Sequence, residues 1–143
     1  MSIDLYTSST DKVANLDLNK PALDSGNIIL TIGPLNLQAG DILDVTFAHE
    51  VTSELPFTVG IGRGLVINQD ANSPKGTQLA PFHMVNMTNI DHHHSISNTI
   101  FHKVTSTMNG AYIHAIAYAA SSWGNGSVKV EPGYGKIAVK VNR

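Results

Sequence analysis

Along residues 111–119 the chain alternates without a break. Tyr112, His114, Ile116 and Tyr118 fall on one side of an extended backbone, and Ala111, Ile113, Ala115, Ala117 and Ala119 on the other. A period of two residues is the mark of a β-strand. Both sides are apolar or aromatic, so the strand expected here is covered on both faces, by a core on one side and by a partner subunit on the other. Gly124-Asn125-Gly126 and Pro132-Gly133 then interrupt the chain, so that residues 111–142 read as three strands joined by two glycine-marked turns.

The rest of the chain beyond residue 26 carries the same signals. Residues 28–32 and 42–49 are predicted strands, the second alternating Leu43, Val45 and Phe47 with Asp44 and Thr46, and residues 34–41 form a loop with a turn at Ala39-Gly40-Asp41. Residues 57–68 are β-rich but contain Gly60, Gly62 and Gly64, which in a strand signal a bulge, a bend or a close approach by another backbone. Residues 82–90 and 96–104 add two strands with a turn at 91–94, and Asn109-Gly110 reads as a two-residue turn into the long strand. About eight antiparallel strands without helical periodicity predict a single-domain, all-β jelly-roll β-sandwich, with an immunoglobulin-like sandwich as runner-up. Residues 1–25 are polar and weakly periodic around Ile3 and Leu5. They are expected to form an amino-terminal arm with one short strand, ordered by contact with another surface. The jelly-roll domain occupies residues 26–143.

Composition removes several function classes. Only 14% of the 143 residues are charged and the formal net charge is −2, so nucleic acid and anionic membranes are not expected partners. Asp4, Asp11, Lys12 and Asp17 stand where a signal peptide needs an apolar run, and no apolar stretch is long enough to span a bilayer. The absence of cysteine rules out disulfides, thiolate nucleophiles and cysteine zinc sites, and fits synthesis in a reducing cytoplasm.

The candidate chemistry is sparse. Gly60-x-Gly62 is not followed by a helix that would offer a phosphate its free N–H groups. No G-x-S-x-G elbow is present, and Asp41, Asp44 and Glu50 are spread along a loop and a strand, so no enzyme activity and no cofactor are expected. Of seven histidines, His102 and His114 would lie on opposite faces of a hairpin closed at Asn109-Gly110, with His102 opposite Ala117 and His114 opposite Thr105. In the tract His92-His93-His94, His92 and His94 can converge on a metal if Asp91, another segment or a symmetry-related chain adds ligands; the other reading is a solvated histidine-rich loop. Asn68, Asp70 and Trp123 are the candidate glycan contacts, because a ring stacks on sugar C–H faces while amides and carboxylates bond hydroxyls. Alternatively Trp123 plugs one end of the sandwich and the polar residues solvate turns.

Pro81-Phe82 through the alternating run 111–119, then Ser122-Trp123-Gly124, resembles the carboxy-terminal half of tumour-necrosis-factor-like jelly rolls. It is similar in particular to the trimeric domain of a bacterial fucose-binding lectin. Residues 128–135, VKVEPGYG, are similar to β-rich virion proteins of tailed bacteriophages. The resemblance implies a homotrimer in which Tyr112, His114, Ile116 and Tyr118 face the core or the three-fold contact. It also implies a non-enzymatic virion protein made in the host cytoplasm, most concretely a capsid decoration (cement) protein bound to a capsid or other virion protein. A trimeric, lectin-like module binding a surface glycan is the alternative. The lectin pattern of tyrosines, hydroxyls and arginines is not matched by residues 65–78, where Arg63 is the only nearby arginine, so fucose recognition does not carry over.

Overall fold

The computed structural model describes residues 2–20, 22–53, 59–79, 83–87, 91–122 and 127–143. Alternation builds the interior directly. In β4 (Ile42–Ser53) the side chains of Leu43, Val45, Phe47, His49 and Val51 are buried while those between them are half-buried or exposed, which places every second residue against the opposite sheet.

Two antiparallel sheets pack face to face. In the first, β1 (Ile3–Ser9), β10 (Val128–Asn142), β4 and β8 (Asp91–Lys103) lie in that order, and the two-residue β2 (Ala14–Asn15) also lies against β10. In the second, β3 (Asn27–Leu37), β9 (Met108–Ser122), β5 (Val59–Asn68) and the short β6 (Thr77–Gln78) are neighbours in order, with β7 (His83–Met87) also against β5. One 3-10 turn, Leu23–Ser25, is the only helical element among the described residues. The expected all-β, jelly-roll-like sandwich is the architecture found.

Several local expectations are corrected. Asn109-Gly110 is not a hairpin turn, because β8 pairs with β4 in the first sheet and β9 with β3 and β5 in the second. His102 and His114 therefore belong to different sheets. Gly110 is instead an extra residue inside β9: Asn109 pairs with Asn36 and Ala111 with Leu35, leaving Gly110 bulged at φ 77°. A Cβ there would meet nothing within 4 Å, so glycine is required by its backbone angle rather than by crowding. Pro132-Gly133 is not a hairpin turn either. β10 is continuous, with Val130 opposite Val51 and Gly135 opposite His49, so residues 131–134 bulge past Glu50 alone. The strand expected at 28–32 runs on to Leu37, and the turn expected at 91–94 is the start of β8.

Residues 3–9, expected in the arm, pair with β10 along their whole length, from Ile3 opposite Asn142 to Ser9 opposite Lys136. Backbone pairing is indifferent to side-chain polarity, which is how a polar segment joins a sheet. Thr10 then plugs the β10 bulge: its N–H donates to the Gly135 carbonyl (2.8 Å), and its own carbonyl accepts from the Gly133 N–H (2.7 Å). Its hydroxyl donates to the Glu131 carbonyl (3.0 Å) and accepts from the Gly135 N–H (3.1 Å). Leu16 is buried beyond it.

The interior holds two apolar clusters. The larger gathers Leu43, Val45, Phe47, Ile113, Val139 and their neighbours; the smaller contains Leu16, Val51, Ile61, Ala117, Ala119, Val128 and Val130. Along β4 the boundary falls at His49 and along β5 at Arg63.

Candidate functional site

The outward side of β9 in the second sheet carries the four residues expected in the core or at a three-fold contact. His114, Ile116 and Tyr118 are buried within the single chain, and Tyr112 is half-buried. The ring of Tyr118 lies where a Cβ on Gly62 would be, so Gly62 is the floor that lets a ring lie flat on the sheet, and burial pushes the Tyr118 phenol up. Ile116 packs against Gly26, just after the 3-10 turn, and the Ala119 N–H donates to the Lys20 carbonyl (3.0 Å). Part of the second cover of β9, read from the sequence as a partner subunit, is supplied by the chain's own residues 22–26 and 69–76, through Gly26 against Ile116 and the Asp70 carbonyl on His114.

His114 shows how loop 69–76 is held. Asn68 Nδ2 donates to the carbonyls of Ser73 (2.7 Å) and Lys75 (2.8 Å), which aims its Oδ1 at His114. His114 Nε2 thus faces two acceptors, Asn68 Oδ1 and the Asp70 carbonyl, each at 2.9 Å, and must carry the proton. Nδ1 accepts from the Thr31 hydroxyl at 2.9 Å. Burial lowers the pKa of the ring, against an opposing pull from the Asp70 carbonyl bond and carboxylate charge, and so favours the neutral form. Tyr112 stacks on it, with ring centroids 6.2 Å apart and planes 14° from parallel.

These bonds bear on the glycan residues. The Asn68 amide is fully engaged in the loop, and Asp70 spends a carboxylate oxygen on the Asn72 N–H. Trp123 lies outside the described residues. His92 and His94 lie in the β8 backbone, His94 opposite Val51, and their side chains are outside what the structure describes. No group of three metal-ligating side chains occurs among the described residues, and among them no helix is long and apolar enough to cross a membrane.

A polar band crosses the interior. Arg63 is 0% and His49 1% exposed, and the guanidinium Nη1 donates to the His49 carbonyl at 2.9 Å. Arg63 Nε and Nη2 and both His49 ring nitrogens are buried without a hydrogen-bond partner among the described residues. Burial lowers the Arg63 pKa to about 10, and burial together with the Arg63 charge holds His49 well below the usual histidine range. Arg63 and His49 are sealed from solvent, so neither side chain is open to a substrate in this structure. The sequence signal for this band was an arginine inside the run Val59–Asn68, otherwise apolar or glycine up to its last residue, in a chain poor in charge.

The first sheet leaves its outer face open. Its cross-strand rows read Leu5, Lys140, Asp44, Phe101, then Thr7, Ala138, Thr46, Thr99, then Ser9, Lys136, Ala48, Ser97. The small residues form a shallow depression floored by Thr46, Ala48 and Ala138. Leu5 and Phe101, 65% and 76% exposed, flank a neighbouring hollow. Chemically this is an open β-surface of small and hydroxyl side chains that also carries Lys136, Lys140 and Asp44, with one large apolar side chain, Leu5 or Phe101, on each edge strand.

No protein-family model matches the sequence, and no curated protein matches it. Among solved structures, the chain superposes over 97% of its length on a chain from the structure of the infectious bursal disease virus Gx strain, with TM-score 0.54 and 9% identity. A chain of the infectious bursal disease virus VP2 subviral particle is matched over 96% with TM-score 0.44 and 11% identity. This chain spans 32% of each of those chains. The first match establishes a shared jelly-roll-like β-sandwich fold.

Proposed function

We propose that the chain is a non-enzymatic structural protein of a virus particle, and more finely a trimeric decoration (cement) protein of a bacteriophage capsid. The observation that carries the reading is the superposition of 97% of the chain on a chain of a virus structure. The architecture supports it: one outer face is closed by the chain's own loops, while the other presents a flat sheet with exposed Leu5 and Phe101. Apolar side chains exposed on the edge strands of a sheet favour association. In a trimer, Tyr112 is the member of the β9 set still exposed enough to reach a neighbour. The alternative, a carbohydrate-binding module, draws less support because Asn68 and Asp70 are engaged within their own loop.

The test is recovery of the protein in particles purified on a density gradient, by peptide mass spectrometry, together with sedimentation equilibrium of the purified chain. Absence from particles, or failure of added protein to co-sediment with them, would overturn the virion reading. A monomer at micromolar concentration would overturn the trimer, and glycan-array binding without particle binding would favour the lectin alternative.

A further inference from the structure

We infer that copies of this chain join by continuing the first sheet from one copy into the next, with β8 of one against β1 of its neighbour. This rests on the reading that the chain assembles with other copies in a particle. Among the described residues both strands are edges of that sheet, at opposite ends of the order β1, β10, β4, β8. Every neighbouring pair in that order is antiparallel, so β1 and β8 run in opposite directions. A second copy set beside the first in the same orientation therefore brings its β1 antiparallel to β8, without turning either face over.

The side chains match in the register that extends the existing rows. Phe101 meets Leu5 of the next copy, Thr99 meets Thr7 and Ser97 meets Ser9 on the open face. On the other face Ile100 meets Tyr6 and His102 meets Asp4, an imidazole against a carboxylate. Apolar and hydroxyl residues each find their own kind of partner, Asp4 keeps its bond from Arg143 of its own chain (3.0 Å) beside the imidazole, and the most exposed apolar side chains of both edges lose water together. Among the described residues a monomer leaves two such edges open, the arrangement that soluble sheets avoid.

The absence of cysteine makes disulfide trapping clean. Leu5→Cys and Phe101→Cys are made in separate chains, as are Tyr6→Cys and Ile100→Cys; the two pairs sample both kinds of position in an antiparallel ladder. Mild oxidation of the mixed chains should give a cross-linked dimer for at least one pair, far above that from either variant alone. Circular dichroism checks that each variant is folded, and Phe101→Lys, which needs no cross-link, should weaken association severalfold with unchanged thermal unfolding. Efficient linking of Phe101→Cys to itself would overturn the assignment in favour of two-fold β8 pairing. Absence of mixed links, with Phe101→Lys still associating normally, would overturn it outright. If the chain is still recovered in particles, the virion reading survives that failure. Mixed links from a chain absent from particles would support the edge pairing and remove the virion reading instead.

Discussion

Replacing Thr10 by valine keeps the shape of the side chain and both backbone bonds to β10, and removes only the hydroxyl. Two hydrogen bonds go with it, one to the Glu131 carbonyl and one from the Gly135 N–H. Glu131 is partly exposed, so water can replace its lost partner at a cost of about 1 kcal/mol or less. Gly135 is buried, and its orphaned N–H costs about 1–3 kcal/mol. The expected loss is about 2–3 kcal/mol, which at this chain length lowers Tm by roughly 6–12 °C. Thr10→Ser retains both bonds and should lose about 1 kcal/mol or less, the share of one methyl. Urea unfolding followed by circular dichroism measures both, with an unchanged m-value showing that native stability is what moved. Thr10→Val within 0.5 kcal/mol of the parent, or Thr10→Ser as damaging as Thr10→Val, would refute the plug.

Three further outcomes are expected. Gly62→Ala should destabilise by about 1–3 kcal/mol through overpacking under Tyr118, and adding Tyr118→Ala should recover part of the loss in a double-mutant cycle. Asn68→Ala frees the carbonyls of Ser73 and Lys75 and unpins His114, so limited proteolysis should cut within residues 69–76 in the variant before it cuts the parent. Stability should fall as the pH drops below about 6.5: unfolded histidine binds a proton there, whereas His49 and His114, their folded pKa values lowered, do not. His49→Phe should flatten part of that slope in unfolding experiments run across pH.

How far the fold could be read in the sequence depended on whether a signal was local. Alternation in β4 and β9 is local, and it identified the inward residues Leu43, Val45 and Phe47, together with the opposing sides of residues 111–119. Glycine punctuation is ambiguous, because a positive φ at Gly110 serves a bulge as well as a hairpin, and only the distant partner strand decides between them. The same ambiguity turned the excursion at Pro132-Gly133 into an apparent turn. Apolar character on both sides of β9 signalled two covers, but nothing local says whether the second comes from a partner or from residues 22–26 and 69–76. The pairing of β1 was hidden for another reason: main-chain hydrogen bonds leave no mark in side-chain composition. At the candidate surface, Leu5 and Phe101 lie far apart in sequence, and only the strand order reveals that they close opposite ends of one sheet.

The band of His49 and Arg63 also bears on how the molecule opens. Cooperative units in a folded chain follow contiguous apolar contact, and a buried guanidinium beside an imidazole, with few hydrogen bonds among the described residues, is a weak seam between two such units. Among the described residues the smaller cluster, from Leu16 to Val130, has fewer side chains than the larger one beyond the seam. Amides at Val51 and Val130 should exchange with deuterium through a partial opening, while those at Val45 and Val139 wait for global unfolding. One end of the sandwich can then loosen to meet a neighbour while the other keeps its shape.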